Sequence, residues 1–196
     1  SIKSPIQFVP PSERNGRIVY SGTIEEGRTF AEYFLRREIQ LLPIDLFGLI
    51  EGPNKRETKE KLLRGNGRLR YLGYIAYDEL VDALRSYLFS IIMWNPSNPN
   101  QLYAASNKFF DAIAAGVPPI TAPHPQCKML VQRYKCGIVM EDWSFDSFYK
   151  AIQWALRIYG TEEYDVMVEN CRRAFIEELN WEKQFEKVKP FLKEVR

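Results

Sequence analysis

The sequence is poor in the residues that build metal sites and disulfide frameworks. It has three widely spaced cysteines, Cys127, Cys136 and Cys171, and a single histidine, His124, which lies between two prolines. An odd, scattered set of cysteines argues against a disulfide framework and against a zinc site, and it is typical of a reducing compartment. A catalytic triad or a histidine-rich metal site would need partners for His124, so we interpret this histidine as a turn residue.

Long apolar runs and a strong charge imbalance are also missing. Apolar runs such as YLFSIIMW are far shorter than the roughly 20 residues of a membrane helix. Lys plus Arg total 27 against 25 for Asp plus Glu, so no broad basic surface for nucleic acid is expected. The polar, proline-rich start SIKSPIQFVPPSERNGR has no signal-peptide pattern. We therefore expect a cytoplasmic protein with no nucleic-acid partner.

Common phosphate-binding and metal-binding motifs are absent too. No G-x-G-x-x-G follows the first predicted strand, no G-x-x-x-x-G-K-[ST] occurs, and no Asp-x-Asp pair is present to hold a metal against a diphosphate. The third predicted strand ends in Gly73 rather than in an aspartate, which excludes a response-regulator site. We expect neither a metal nor an organic cofactor.

What the chain does contain is a regular alternation of short apolar runs and helical patterns. Strands alternating with helices of ten or more residues predict right-handed βαβ units and a parallel sheet covered on both faces. The pattern therefore predicts one doubly wound, Rossmann-like α/β domain with a six-stranded parallel sheet. The predicted strands are RIVYSG (17–22), PIDLFGLIEG (43–52), LRYLGYI (69–75), LFSIIMW (88–94) and the ends of SNKFFDAIAAGVPPIT (106–121) and PQCKMLVQRYKCGIVM (125–140).

Helical patterns fill the rest of the chain. One helix is predicted over residues 28–40, directly after the first strand, and a charged amphipathic helix is predicted over KRETKEKLLR (55–64). After Met140 the alternation ends, and a tail of three helices is predicted over 144–159, 162–179 and 181–195.

The loop after the first strand is one candidate binding element, because ligands bind at the carboxyl ends of the strands in such sheets. Gly22 allows a sharp turn and a close approach of the backbone to a ligand. Arg28 is predicted at the start of the first helix, where a cation is unfavourable unless an anion joins it. The alternative is a solvated arginine.

The helix that starts near Ser106 is the second candidate. Its free backbone N–H groups, with Lys108 beside them, predict an anion site suited to a diphosphate. Asp111 is costly inside so apolar a helix unless it is paired, and it could accept hydrogen bonds from a vicinal diol such as a ribose. The alternative is an ion pair between Lys108 and Asp111. The amide-rich loop NPSNPNQLYAASN would suit sugar hydroxyls, so together these features predict a site for a nucleoside diphosphate sugar.

The order of these segments resembles the carboxyl-terminal, donor-binding domain of GT-B glycosyltransferases, and it is most similar to the retaining group called family 4. NKFFDAIAAGVPPI is similar to that group's K-[LF]-x-E-x-[ML]-A-[AC]-G-x-P-V-[IV], and GTIEEGR resembles its diphosphate-binding loop. The resemblance covers residues 17–181. It implies a hexosyltransferase-type enzyme that transfers a sugar from a nucleoside diphosphate sugar, such as a UDP-sugar, to an acceptor hydroxyl in polysaccharide biosynthesis.

The resemblance also assigns roles by position. Arg28 and Lys108 are implied to bind the diphosphate and to act in catalysis, and Asp111 is implied to bind the ribose. Thr23 stands where the group usually has an arginine, and Tyr103 stands where it has a second carboxylate. The other implied donor-binding residues are Gly22, Thr23, Tyr74, Ile75, Ser106, Asn107 and Phe109.

A GT-B enzyme also needs a second, acceptor-binding domain. The resemblance implies that this amino-terminal domain belongs to the same polypeptide and that membrane contact, at the inner face, would come only through it. Residues 1–16 are interpreted as the end of an interdomain linker, 17–179 as the donor-binding domain and 180–196 as a crossover helix, and the chain alone is expected to be inactive. The alternatives are a nucleotide-sugar epimerase of the same fold and a catalytically inactive nucleotide-binding or docking module.

Overall fold

The fold is given by a computed structural model that describes residues 8–65, 67–104 and 106–192. Six strands in that part of the chain form one parallel sheet in the order β3-β2-β1-β4-β5-β6. The predicted doubly wound, Rossmann-like α/β domain is therefore confirmed. The strands are β1 (Ile18–Ser21), β2 (Ile44–Phe47), β3 (Arg70–Gly73), β4 (Phe89–Ile92), β5 (Pro119–Thr121) and β6 (Ile138–Val139).

Ten α-helices connect or follow these strands within the described residues. Among those residues, no helix is both long and apolar enough to cross a bilayer. The helices are α1 (Ala31–Phe34), α2 (Arg37–Gln40), α3 (Lys55–Arg64), α4 (Tyr77–Leu84), α5 (Pro99–Tyr103), α6 (Asn107–Ala114), α7 (Pro125–Tyr134), α8 (Phe145–Ile158), α9 (Glu162–Glu177) and α10 (Trp181–Leu192).

The centre of the sheet is the most deeply buried part of the molecule. Every residue of β1 and β4 is buried, as expected for strands that helices cover on both faces. The chain runs outward in one direction from β1 to β2 and β3, and in the other from β4 to β5 and β6. The topological switch therefore lies between β1 and β4, and in such folds the crevice at the carboxyl ends of the switch strands is where ligands bind.

The single helix predicted over residues 28–40 is wrong. The structure has a turn at Arg28, Phe30 in the left-handed region (φ 57°), and then the two one-turn helices α1 and α2. The hydroxyl of Thr29 explains the late start of α1, because it donates to the carbonyl of Thr23 (3.0 Å) and accepts from the amide of Glu25 (2.9 Å). Such side-chain bonds to nearby backbone compete with the helix. Arg28 therefore does not lie at a helix N-terminus.

The ends of the chain differ in how they pack. Arg14 is buried, and its guanidinium donates to the carbonyls of Tyr87 (3.0 Å) and Gly116 (2.7 Å) and to the Tyr164 hydroxyl (3.2 Å). Helix α10 has no buried residue. The first part of the predicted linker, residues 1–7, lies outside the described residues. So does the last part of the predicted crossover helix, residues 193–196.

Candidate functional site

Two adjoining cavities lie at the carboxyl edge of the sheet, at the switch between β1 and β4. The larger cavity has a volume of about 410 Å³, the smaller one about 270 Å³, and both include Gly22 and Thr23 in their walls. The larger cavity contains Arg28 and Lys108 in its wall, together with Ser106. The smaller cavity is mostly apolar and is lined by Ser21, Phe47, Gly48, Leu49, Tyr74, Ile75, Tyr77 and Leu80 besides the two shared residues.

Two glycines allow the backbone and a lysine to meet between the cavities. Gly22 has φ +137°, and a Cβ there would lie 2.2 Å from Cε of Lys108. Gly48 has φ +144°, and a Cβ there would lie 1.7 Å from the carbonyl oxygen of Gly22. A side chain at either position would both strain the backbone and collide with its neighbour. The backbone of Gly22 thus lies against Lys108, and its predicted close approach to a ligand stays a prediction.

Lys108 is held by an aromatic residue of the central strand. Its Nζ donates to the hydroxyl of Tyr20 (3.1 Å) and lies 4.7 Å from the centre of the Tyr20 ring. The ion pair with Asp111, which was the alternative for this lysine, is not formed. The carboxylate of Asp111 accepts instead from the hydroxyl of Tyr77 (3.1 Å).

Arg28 lies in the wall of the larger cavity with its side chain 60% exposed. Its guanidinium is 3.1 Å from the carboxylate of Glu25 and 3.9 Å from that of Glu51. The loop that carries Arg28 is fixed to the end of β4, because the backbone amide of Asn95 donates to the carbonyl of Arg28 (2.8 Å) and the side-chain amide to that of Gly27 (2.8 Å). Arg28 is thus neither a free solvated cation nor a helix-start cation.

Among the residues that the structure describes, no cation pairs with the buried carboxylate of Asp111. It is 8% exposed, and among the described residues its hydrogen-bond partner is a neutral phenol, that of Tyr77. Burial raises the pKa of Asp111, and the hydrogen bond from Tyr77 lowers it by less. The other buried aspartate, Asp45, has very different surroundings: Arg17 and Arg70 bind it with atoms 2.7 and 2.6 Å away, and it lies near the amino end of β2. Of the two, Asp111 is the carboxylate with unused capacity to accept hydrogen bonds.

The amino end of α6 opens toward the larger cavity at Ser106. Ser106 is the N-cap residue and makes no side-chain capping bond, and Asn107 is exposed. Phe109 is 1% exposed and its amide donates to the Ser106 carbonyl (3.0 Å), so its side chain belongs to the core. The first turn of a helix has N–H groups without helical partners, which suits an anion.

An aromatic stack around the buried His124 supports one wall of the larger cavity. The ring of His124 lies parallel to that of Trp94, with centres 3.6 Å apart, and meets Trp143 edge to face. Trp94 lines the cavity, and its indole N–H donates to the carbonyl of Gln101 (2.6 Å). His124 is fully buried, and burial lowers its pKa to about 4. The nearby backbone of Leu102 and Trp94 acts in the opposite direction and raises the pKa by less. The histidine interpreted as a turn residue precedes α7, but its ring is part of the core.

Several contributors to the site were not found from the sequence, among them three aromatic residues. Tyr20, Tyr77 and Trp94 each contact or line it. Tyr20 and Trp94 belong to runs that are apolar on both faces, where no alternation marks one side chain as different. Tyr77 follows closely on Tyr74 and Ile75, which the resemblance did mark, but it carries no charge that would single it out.

Comparisons with known proteins show where this fold occurs. No protein-family model and no curated protein matches the sequence. Solved structures do match. HepE of Anabaena in complex with UDP has a TM-score of 0.71 at 12% identity, over 94% of this chain and 50% of its own. Sucrose-phosphate synthase from Thermosynechococcus elongatus has a TM-score of 0.68 at 17% identity, and the match covers 96% of this chain and 47% of the synthase. WaaG, a glycosyltransferase involved in lipopolysaccharide biosynthesis, has a TM-score of 0.59 at 14% identity, and the match covers 85% of this chain and 45% of WaaG.

These neighbours are GT-B glycosyltransferases. The chain has the fold of a GT-B glycosyltransferase domain. The resemblance that the sequence motifs carried is therefore confirmed for the fold, and at these identities the likeness shows the fold alone. The chain spans about half the length of each of these structures.

Proposed function

We propose that this chain is the donor-binding half of a glycosyltransferase that takes its sugar from a nucleoside diphosphate sugar. The observation that carries the proposal is the arrangement at the topological switch. Two cations, Arg28 and Lys108, line one cavity, and the residue that binds the buried, cation-free Asp111 lines the adjoining one. Two cations at one cavity and a diol acceptor beside the adjoining cavity would suit the diphosphate and the ribose of such a donor.

The diphosphate belongs in the larger cavity. Arg28, Lys108 and the amino end of α6 supply positive charge and N–H donors there. When the sugar is transferred, the diphosphate leaves with growing negative charge, and groups fixed in advance around it lower the barrier. We propose that these protein groups act without a metal ion.

The nucleoside belongs in the smaller cavity, whose apolar wall includes Tyr74 and Ile75. Asp111 would accept hydrogen bonds from the ribose hydroxyls beside Tyr77. The structural neighbour HepE was solved with UDP and with UDP-glucose, which supports uracil as the base of the donor. UDP is therefore the first nucleotide to test.

The whole enzyme would be larger than this chain. We propose that an acceptor-binding domain of the same polypeptide completes the active site, that the chain alone transfers no sugar, and that residues 1–16 and 180–196 connect the two halves. The acceptor hydroxyl would belong to a saccharide of a growing polysaccharide, and the reaction would take place in the cytoplasm with retention at the transferred carbon. WaaG acts in lipopolysaccharide biosynthesis, which supports that class of product.

Calorimetric titration of this chain with UDP, GDP and UMP tests the proposal. We expect binding of UDP in preference to UMP, because the second phosphate is what Arg28 and Lys108 would contact. Lys108→Ala and Arg28→Ala should each weaken UDP binding about ten-fold or more, as expected when a hydrogen bond to a charged group is lost. Lys59→Ala removes an exposed lysine of α3 and serves as the control. No heat with UDP or GDP, or equal effects of all three substitutions, would contradict the proposal.

A further inference from the structure

Tyr20 occupies an unusual position for a core residue. It is the third residue of β1 and is 0% exposed, yet its hydroxyl reaches the wall shared by the two cavities. That hydroxyl bonds to two groups, the carbonyl of Thr23 and the Nζ of Lys108 (3.1 Å). Its ring packs against Phe34, with centres 5.2 Å apart, so the phenol is fixed from within the core.

The directions of these two hydrogen bonds are fixed by chemistry. The Thr23 carbonyl can only accept, so the phenol proton points to it. The Lys108 ammonium can only donate, so it uses a lone pair of the same phenol oxygen. The ring face beneath the ammonium adds a cation–π contact at 4.7 Å. Lys108 makes no ion pair with a carboxylate anywhere in residues 8–65, 67–104 and 106–192.

The contact joins the two elements that would hold the diphosphate. Thr23 belongs to the loop after β1, and Lys108 belongs to the first turn of α6. A neutral partner positions the lysine over Gly22 without neutralising it, which keeps its charge available for an anion. A carboxylate in the place of Tyr20 would hold the lysine equally well but would compete with the phosphate.

We propose that Tyr20 is a positioning residue for diphosphate binding, which acts by holding the Lys108 ammonium at the mouth of the larger cavity. This inference rests on the proposed function, because it assigns Lys108 to the diphosphate of the donor. It goes further by assigning to a buried phenol the positioning of one of the two cations at that site. It also predicts that the effect of Tyr20 is confined to the phosphate part of the ligand.

Tyr20→Phe is the variant that tests it. The ring and its packing stay, and the Thr23 carbonyl keeps a donor because the Thr29 hydroxyl also bonds to it (3.0 Å). We expect UDP binding to weaken about ten-fold, since a hydrogen bond to a charged group is lost, while uridine binding stays the same. Tyr33→Phe is the matched control, because it removes a phenol that donates to a backbone carbonyl, that of Trp143 (2.8 Å), away from both cavities.

A double-mutant cycle separates positioning from a general structural role. If Tyr20 acts through Lys108, Tyr20→Phe has no further effect on UDP binding in a Lys108→Met background. The proposal is overturned if UDP binds Tyr20→Phe as tightly as wild type, if uridine binding falls by the same factor, or if the effect persists without Lys108.

An NMR measurement without ligand distinguishes failure of this inference from failure of the proposed function. We expect the Lys108 ammonium protons to exchange slowly with water in the wild type and rapidly in Tyr20→Phe. If the ammonium protons exchange slowly in the wild type but UDP does not bind, the contact between Tyr20 and Lys108 is present and the proposed function is rejected. Rapid exchange in both proteins would reject the positioning contact itself.

Discussion

At the scale of single residues, Asp111 is the most informative side chain of the site. Burial raises its pKa, with only the Tyr77 hydroxyl acting in the opposite direction. The folded state therefore favours the protonated carboxyl more than the unfolded state does. That contribution to stability is full below the unfolded pKa of roughly 4 and is lost as the pH rises through the folded pKa. Any charge that Asp111 carries in the free protein is therefore unfavourable, and hydrogen bonds from a bound diol would offset that cost.

Asp111→Asn should separate stability from binding. It keeps an oxygen for the Tyr77 hydroxyl and removes the buried charge. We expect a higher midpoint of thermal unfolding than wild type at pH 7, and a difference that shrinks as the pH falls toward 4. UDP affinity should fall about ten-fold, and the preference for UDP over 2′-deoxy-UDP should shrink. A variant that is less stable than wild type at pH 7 and binds UDP normally would contradict this role.

His124 should contribute to the loss of stability in acid. Its folded pKa of about 4 lies below the unfolded value of 6.5, so its contribution is present above pH 6.5 and is lost as the pH falls toward 4. Neither ring nitrogen has a hydrogen-bond partner among the described residues, so the protonated ring has little to compensate for burial.

His124→Phe keeps an aromatic ring between Trp94 and Trp143 and removes the titration. Relative to its own stability at pH 7.5, the variant should lose less free energy of unfolding by pH 4 than wild type does. The difference should approach about 3 kcal/mol. Parallel unfolding curves of the two proteins between pH 7.5 and 4 would show that His124 is not buried as a neutral ring.

At the scale of elements, the loops after β1 and β2 are locked together by close backbone contact. The amide of Gly22 donates to the carbonyl of Phe47 (2.9 Å), and Gly48 packs directly on the Gly22 carbonyl. This contact fixes the position of the loop after β1, in which Gly22 packs against the side chain of Lys108. A change at Gly48 is therefore expected to affect the cavity walls at Gly22 and Thr23 without touching a charged residue.

Gly48→Ala should destabilise the fold by roughly 3 kcal/mol or more, because backbone strain adds to a collision with backbone atoms. Gly16→Ala is the matched control. It also has a positive φ (+74°), but nothing lies within 4 Å of its Cβ position, so it should cost only about 1 kcal/mol. Urea unfolding measures both, and equal losses would mean that the packing of Gly48 on Gly22 does not hold.

The elements also show where sequence patterns stop being sufficient. Helix α3 was predicted with both ends correct, since its charges and apolar positions agree with a helix throughout. The helix predicted over 28–40 was wrong, because the hydroxyl of Thr29 closes the preceding loop and no periodicity reports such a bond. The loop NPSNPNQLYAASN contains α5, which begins at an Asn98 cap that accepts from the amide of Gln101 (3.0 Å).

At the scale of the whole molecule, charged groups are arranged differently at the amino ends and at the carboxyl ends of the strands. Near the amino end of β2, the carboxylate of Asp45 is paired with two arginines. Burial raises its pKa, but the hydrogen bonds from Arg70, Arg17 and Tyr87 together lower it by more and hold the pKa below its usual value. At the carboxyl edge the cations and the carboxylate of the site are kept apart, with Lys108 on a phenol and Asp111 on another. The first arrangement stabilises the fold, and the second leaves charges available to a ligand.

The sequence predicted this edge of the molecule well and its details poorly. Strand ends are readable because apolar runs stop there, so Gly22, Arg28, Ser106 and Lys108 were predicted as neighbours and do line one cavity. The partners that hold these side chains were not predicted, since Tyr20 and Glu25 meet them only through tertiary packing.

A map of UDP on the protein tests the central claim most directly. Titrating UDP into the isotope-labelled chain and following the backbone amide shifts locates the bound nucleotide residue by residue. We predict that the largest shifts fall in residues 22–29, 74–77 and 107–111, which surround the two cavities. No shifts at saturating UDP, or shifts concentrated at the opposite edge around Asp45 and Arg70, would contradict the account.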